Sequence, residues 1–123
     1  MNLKPVTNQV VDNQPKFIMS GKNLEWSVGQ VTLDASKFQE GEVVKAGTAL
    51  FRDPSTKLYE KVTGDTPETM EAPVLTGATV VIKGTESNET VSGLKKGSVY
   101  SELLTGATDN FKKAVQGRIV FDL

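Results

Sequence analysis

The stretch Glu42–Val62 reads EVVKAGTALFRDPSTKLYEKV, and it decides the fold class. Two apolar bursts flank Gly47, and a turn then separates two strand-like runs. Asp53-Pro54-Ser55-Thr56 supplies the turn. An aspartate side chain bonds the backbone just ahead of it, and proline presets φ for a tight turn. Beyond the turn, a period of two puts Leu58 and Val62 on one face and Tyr59 on the other. Gly47 is read as a corner between strands, where a residue without Cβ turns the backbone at low steric cost.

The same period extends on both sides. Val31, Leu33 and Ala35 alternate with polar residues, so the β pattern is taken to begin at Val28. Strands are expected near 74–83, 90–95 and 98–103, punctuated by Gly77, Gly84, Gly93 and Gly97, with GTESNE (84–89) as a hairpin tip. Its Asn88-Glu89-Thr90 matches a glycosylation acceptor pattern, which matters only in secreted eukaryotic chains. One helix is expected over about 108–116. Thr108 or Asp109 caps its start, Gly117 follows its end, and Phe111, Ala114 and Val115 form one apolar face. RIVFDL (118–123) then reads as a strand with Ile119, Phe121 and Leu123 on one face, and so apolar a strand belongs in a sheet. The fold class is mainly β with one short C-terminal helix followed by a final strand.

The 123 residues suit one domain with a modest core. At 37% hydrophobic and 24% charged, the composition is that of a globular chain. No apolar run approaches the roughly 18 residues of a membrane helix. The N-terminus lacks the charged start and apolar centre of a signal peptide, so use without secretion is expected. Cysteine and histidine are both absent. That removes disulfides, thiolate nucleophiles, ordinary zinc sites and histidine-based triads. Net charge is −1 and the only arginines are Arg52 and Arg118, which does not suit a nucleic-acid binder.

Residues 1–27 differ from the rest. Pro5 and Pro15 oppose a helix and Asn and Gln are frequent, yet Val10, Val11, Phe17, Ile18 and Trp26 are apolar. The division expected is an extended N-terminal arm over 1–27 and a β-rich domain over 28–123. Val10, Val11, Phe17 and Ile18 are the candidates for contact with a partner, with Trp26 as anchor at the arm's root. For each of them the alternative is an ordinary place in the domain's own core. Residues 63–73 are expected as a polar loop. Counting from Glu60, four acids (Glu60, Asp65, Glu68, Glu71) face one base, Lys61. The loop lacks the spaced ligands and fixed glycine of a known calcium loop.

Chemical motifs are weak. Ser92-x-x-Lys95 has the spacing of serine–lysine acyl enzymes, but that chemistry needs a helix start and this segment reads as strand and turn. Glu40 and Glu42 share a face if extended, but paired acids that act on sugars need an aromatic-rich cleft, and aromatics are 7% and dispersed. Gly21-Lys22 lacks the rest of a phosphate loop. EGEVVKAGTALF also resembles a segment of biotinyl and lipoyl carrier domains. Those carry a modified lysine at a hairpin tip, and the nearest equivalent, Lys57 in PSTKLY, has different neighbours.

In chain order the pieces resemble another family. A loose arm precedes AGTALFRDPSTKLYEKV, PVLTGATVVIKGTES and KKGSVYSELL, and TDNFKKAVQG runs into RIVFDL. Over roughly residues 42–123 this resembles the lambda-type head decoration proteins of tailed bacteriophages. The acidic loop is longer than in that pattern, and 28–41 has no counterpart. The resemblance implies a compact β-tulip (β-clip-like) domain and a homotrimer on the outer surface of the expanded capsid. It implies the major capsid protein as partner and an arm that orders on the shell. It also implies a virion protein made in the bacterial host cytoplasm, with no catalysis, no cofactor, no metal, and no nucleic-acid or membrane partner. A rival expectation is a non-catalytic ligand- or carbohydrate-binding β-module of a phage head fibre or tail, which would show a cleft with clustered aromatics.

Overall fold

The computed structural model of the chain describes residues 16–20, 24–84 and 86–122. In chain order the strands are β1 (Glu25–Trp26), β2 (Val31–Thr32), β3 (Val43–Val44), β4 (Ala49–Arg52), β5 (Tyr59–Lys61), β6 (Glu71–Thr76), β7 (Val80–Val81), β8 (Thr90–Val91), β9 (Gly93–Tyr100) and β10 (Ile119–Asp122). Among the described residues one α-helix, α1 (Asp109–Ala114), precedes β10, and short 3-10 turns occupy Ala35–Lys37 and Ser101–Leu103. The protein is mainly β, as its alternating apolar pattern predicts. No helix among the described residues is long and apolar enough to cross a membrane.

The central hairpin forms where expected. Leu50 lies opposite Lys61 and Arg52 opposite Tyr59. The Asp53 carboxylate accepts the amides of Ser55 and Thr56 at 2.7 and 3.1 Å. Those amides, Thr56's foremost, hold the carboxyl below its usual range. The main sheet runs β1-β9-β6-β4-β5, with β10 added to β9 in parallel. Two antiparallel pairs, β2-β8 and β3-β7, complete the architecture.

The main sheet is a middle layer. Ala49 and Leu75 point into one core with Phe17, Ile18, Leu94, Val99, Phe111, Val115 and Ile119. Leu50 and Val74, their chain neighbours, point into a second core with Val31, Leu33, Ala35, Phe38, Val44 and Ile82. Strands buried on both faces are apolar without interruption, which explains the runs TALF and PVLT. Helix α1 closes the first core. Thr108 Oγ1 accepts the Phe111 amide at 3.2 Å, the Phe111 ring is fully buried, and Gly117 ends the segment at φ +88°. The final strand is paired, with Phe121 beside Val99 in register.

Four boundaries differ from the sequence expectation. The strand expected over 74–83 is two strands, because Gly77 turns the chain and donates its amide to the Ser92 carbonyl at 2.8 Å. The strands expected over 90–95 and 98–103 are instead a short β8 and a β9 that runs unbroken through Gly97 to Tyr100, where a 3-10 turn follows. The acidic loop ends early, since β6 already starts at Glu71. The alternation of Val31, Leu33 and Ala35 is kept in burial but not in strand, because Asp34 caps a 3-10 turn by accepting the Ser36 amide at 3.1 Å.

Candidate interaction surface at the arm root

The residues expected to form the arm fall into three groups. Val10 and Val11 lie outside the described residues. Phe17 and Ile18 are in the domain, at 2% and 4% exposure within the first core. Ile18 bridges Val99, the Met19 amide donates to Ser98 at 2.9 Å, and the Tyr100 amide donates to Phe17 at 2.8 Å. This short antiparallel segment occupies the edge of β9 opposite β10. Backbone pairing to a strand some 80 positions later leaves no local signal in the sequence. Placing Phe17 and Ile18 on a free arm is therefore corrected: they take the alternative weighed for them, a place in the domain's own core, which Leu24 and Trp26 also pack against, so the packed domain includes residues before 28.

Trp26 lies between these cases. It pairs with Leu94 in β1 and packs half-buried on the first core. A Cβ at Gly77 would stand 2.5 Å from its ring and 2.3 Å from Ser92 Oγ. Its ring lids the domain's own core, the alternative weighed for it above. Val28 follows at 96% exposure, and the next strand starts only at Val31.

Where the described chain begins, Lys16 enters at the rim of a groove of about 510 Å³. Phe17, Val43, Ala46 and Leu103 provide apolar lining, and Lys45 and Thr79 stand at the edge. Val43 and Leu103 are 53% and 49% exposed. Adjacent strand residues face opposite ways, so burying Val44 in the second core forces Val43 outward. Its cross-strand partner Val81 is also half-exposed. The sequence reading missed these residues. The signal was the doublet Val43-Val44 in a strand too short to bury both.

Gly47 is the corner that follows Ala46 of this groove. Its φ is +87°, its amide donates to Thr76 at 2.8 Å and its carbonyl accepts from Thr105 at 3.0 Å. A Cβ there would stand 3.1 Å from the Phe17 ring and 3.3 Å from Leu104. Gly47→Ala combines left-handed strain with crowding, so a loss of about 2 kcal/mol is expected. A urea midpoint equal to that of the parent protein would refute the corner.

Three ion pairs, two of them sharing Glu71, brace the surface. Arg52 Nε meets Glu71 Oε2 at 2.7 Å, with Lys57 Nζ 3.6 Å from the same oxygen. Lys61 bonds Glu42. The Glu71 carboxyl is held below the ordinary glutamate value first by the Arg52 hydrogen bond, and Glu42 first by that of Lys61. A carboxyl depressed on folding stabilises the fold above its unfolded value, and that stabilisation is lost as pH falls through the folded one. Stability should therefore fall from about pH 5 downward, and Glu71→Gln should show a shallower fall. Urea midpoints across that range check both statements, and an unchanged slope in the variant would sink the second.

The other sequence candidates are separated by this geometry. Glu42 is engaged by Lys61 and by the Gln39 amide, and no bond joins it to the exposed Glu40. Ser92 and Lys95 lie on extended chain rather than one turn of helix apart, and Lys95 sits 3.9 Å from Glu25. The hairpin expected around 84–89 does not form, since β7 pairs with β3 and β8 with β2; Asn88 Oδ1 instead accepts the Ala35 amide at 2.9 Å, tying the chain before β8 to the second core. Phe17, Phe38, Tyr59 and Phe111 are buried, and the groove has one aromatic in its lining, Phe17, rather than a cluster. Among the described residues no group of three acids that could hold a metal ion occurs. No protein-family model matches the chain, and no curated protein matches it.

Proposed function

We propose that the chain is a capsid decoration protein of a tailed bacteriophage, a trimeric cement on the outside of the expanded head. The observation that carries this reading is the ending TDNFKKAVQG-RIVFDL. It folds as a short capped helix leading into a strand of the main sheet, the arrangement that the resemblance implies. The apolar groove at the point where residues 1–15 join the domain gives a surface for that segment's partner. Half-exposed Val43, Val81 and Leu103 leave apolar area that assembly can bury. Three copies on one symmetric shell turn weak contacts into avidity.

The test is direct. The protein is mixed with expanded, undecorated phage shells and imaged, as the full chain and with residues 1–15 removed. The truncation stops before Lys16 because Phe17 and Ile18 belong to the core. Added density at the threefold positions is expected with the full chain, and its absence overturns the reading. Equal binding by the truncated chain would move the shell contact onto the folded domain.

A further inference from the structure

One strand edge in the main sheet is shared. Along β9, β6 pairs at Gly93 and Leu94, and β10 takes over from Gly97. A notch of about 260 Å³ lies between β6, β9 and the start of β10, lined by Ala72, Pro73, Lys95 and Arg118 among others. Both of the chain's arginines, Arg52 and Arg118, line it together with Lys95 and Tyr59. Three cations and no acid therefore face the same small space.

The backbone of the notch is unusual in two linked ways. Leu50 pairs with Val74 but Arg52 pairs with Glu71, so β6 carries a bulge at Ala72 and Pro73. Ala72 holds φ +48°, left-handed for a residue that is not glycine. Proline fits a bulge because it has no amide to give the ladder. Bulges re-aim side chains beside functional sites, and strained residues cluster there. Here the bulge sets Glu71 against Arg52 while Ala72 and Pro73 form an apolar wall.

From this geometry we infer that the notch is a recognition site for a peptide carboxylate, an Asp or Glu side chain with an apolar neighbour in an extended partner segment. Two of the three cations already have an acid outside the notch, Arg52 with Glu71 and Lys95 with Glu25. Arg118 instead bonds the Ala114 carbonyl, 3.2 Å away. About one positive charge is left over, which suits one carboxylate better than a doubly charged phosphate. Guanidinium groups favour carboxylates through charge-assisted hydrogen bonds. Val28, almost fully exposed at the rim, and Pro73 offer the apolar neighbour a surface. A nucleic acid needs a track of phosphate contacts, and this is a single notch. The site is independent of the shell reading and stands with any partner that presents such a segment.

The test uses the full chain, labelled with ¹⁵N, and acetyl-Val-Glu-Val-amide as probe. Saturable amide shifts confined to residues around Ala72, Lys95, Gly97 and Arg118 are expected. The glutamine counterpart of the peptide should give none. Lys95→Gln should weaken the probe about fivefold or more. Arg118→Gln should do the same, but Arg118 also holds the helix end, so Lys95→Gln is the cleaner variant. Equal shifts with the glutamine peptide, shifts elsewhere, or no shifts would overturn the site. So would stronger binding at these residues by inorganic phosphate or by oligo-thymidine.

Discussion

Replacing Phe17 and Ile18 together by alanine should leave little folded protein at room temperature. Both side chains are almost fully buried, and both touch the core that also holds Leu94, Val99, Phe111 and Ile119. Truncating a buried Phe costs about 3–5 kcal/mol, and a buried Ile about 2–5. The two are neighbours, so their costs do not simply add. A combined loss of about 5 kcal/mol or more is expected, against the total of about 5–15 typical of a domain. Urea unfolding followed by far-UV circular dichroism checks it. A cooperative transition at the parent midpoint would return these residues to a free arm. Alanine keeps the backbone groups that bond Ser98 and Tyr100, so the experiment reports on the loss of the side chains.

Phe111→Ala should be the costliest single change in the C-terminal third. The ring is wholly buried and meets Phe121 edge-on, 6.5 Å between centroids at 76°. It is the only fully buried side chain of α1, a helix of six residues. A helix so short has no stability of its own in water and depends on packing. Losing the ring should cost about 3–5 kcal/mol and release α1 together with β10. Hydrogen exchange separates this from a uniform loss. Amides of 109–122 should lose protection before those of β4 and β6, and simultaneous loss would show that the helix is not a separate unit.

The hairpin and the helix were legible in the sequence because their signals are local. Asp53 bonds amides two and three residues ahead, and Thr108 bonds one three ahead. The mainly β class followed from the period of two. The start of β6 was hidden because Glu71 looked like one more acid of a polar loop, whereas its strand partner Arg52 lies nineteen positions back. The place of Phe17 and Ile18 was hidden for the same reason at greater range. Prolines and amides around them suggested a free segment, and the strand that captures them comes at the other end of the chain. The candidate groove was less legible still. Its exposed members follow from which valine of a doublet the second core takes, and that depends on Ile82 and Val80 across the sheet.

The position of β9 sets the order in which this protein can become itself. One of its edges needs residues 17–19 and the other needs 119–122, and Val99 is held from both sides. As the chain leaves the ribosome, everything from residue 17 to residue 122 must emerge before that strand has both neighbours. Until then an apolar strand edge stands open to any passing chain, the condition under which β proteins associate wrongly. Distant pairing also slows closure, because the entropy of a long loop is lost before contacts compensate for it. A ribosome stalled before Ile119 should thus hold a chain that is soluble only with a chaperone at hand, whereas emergence of residues 119–122 lets the sheet shut.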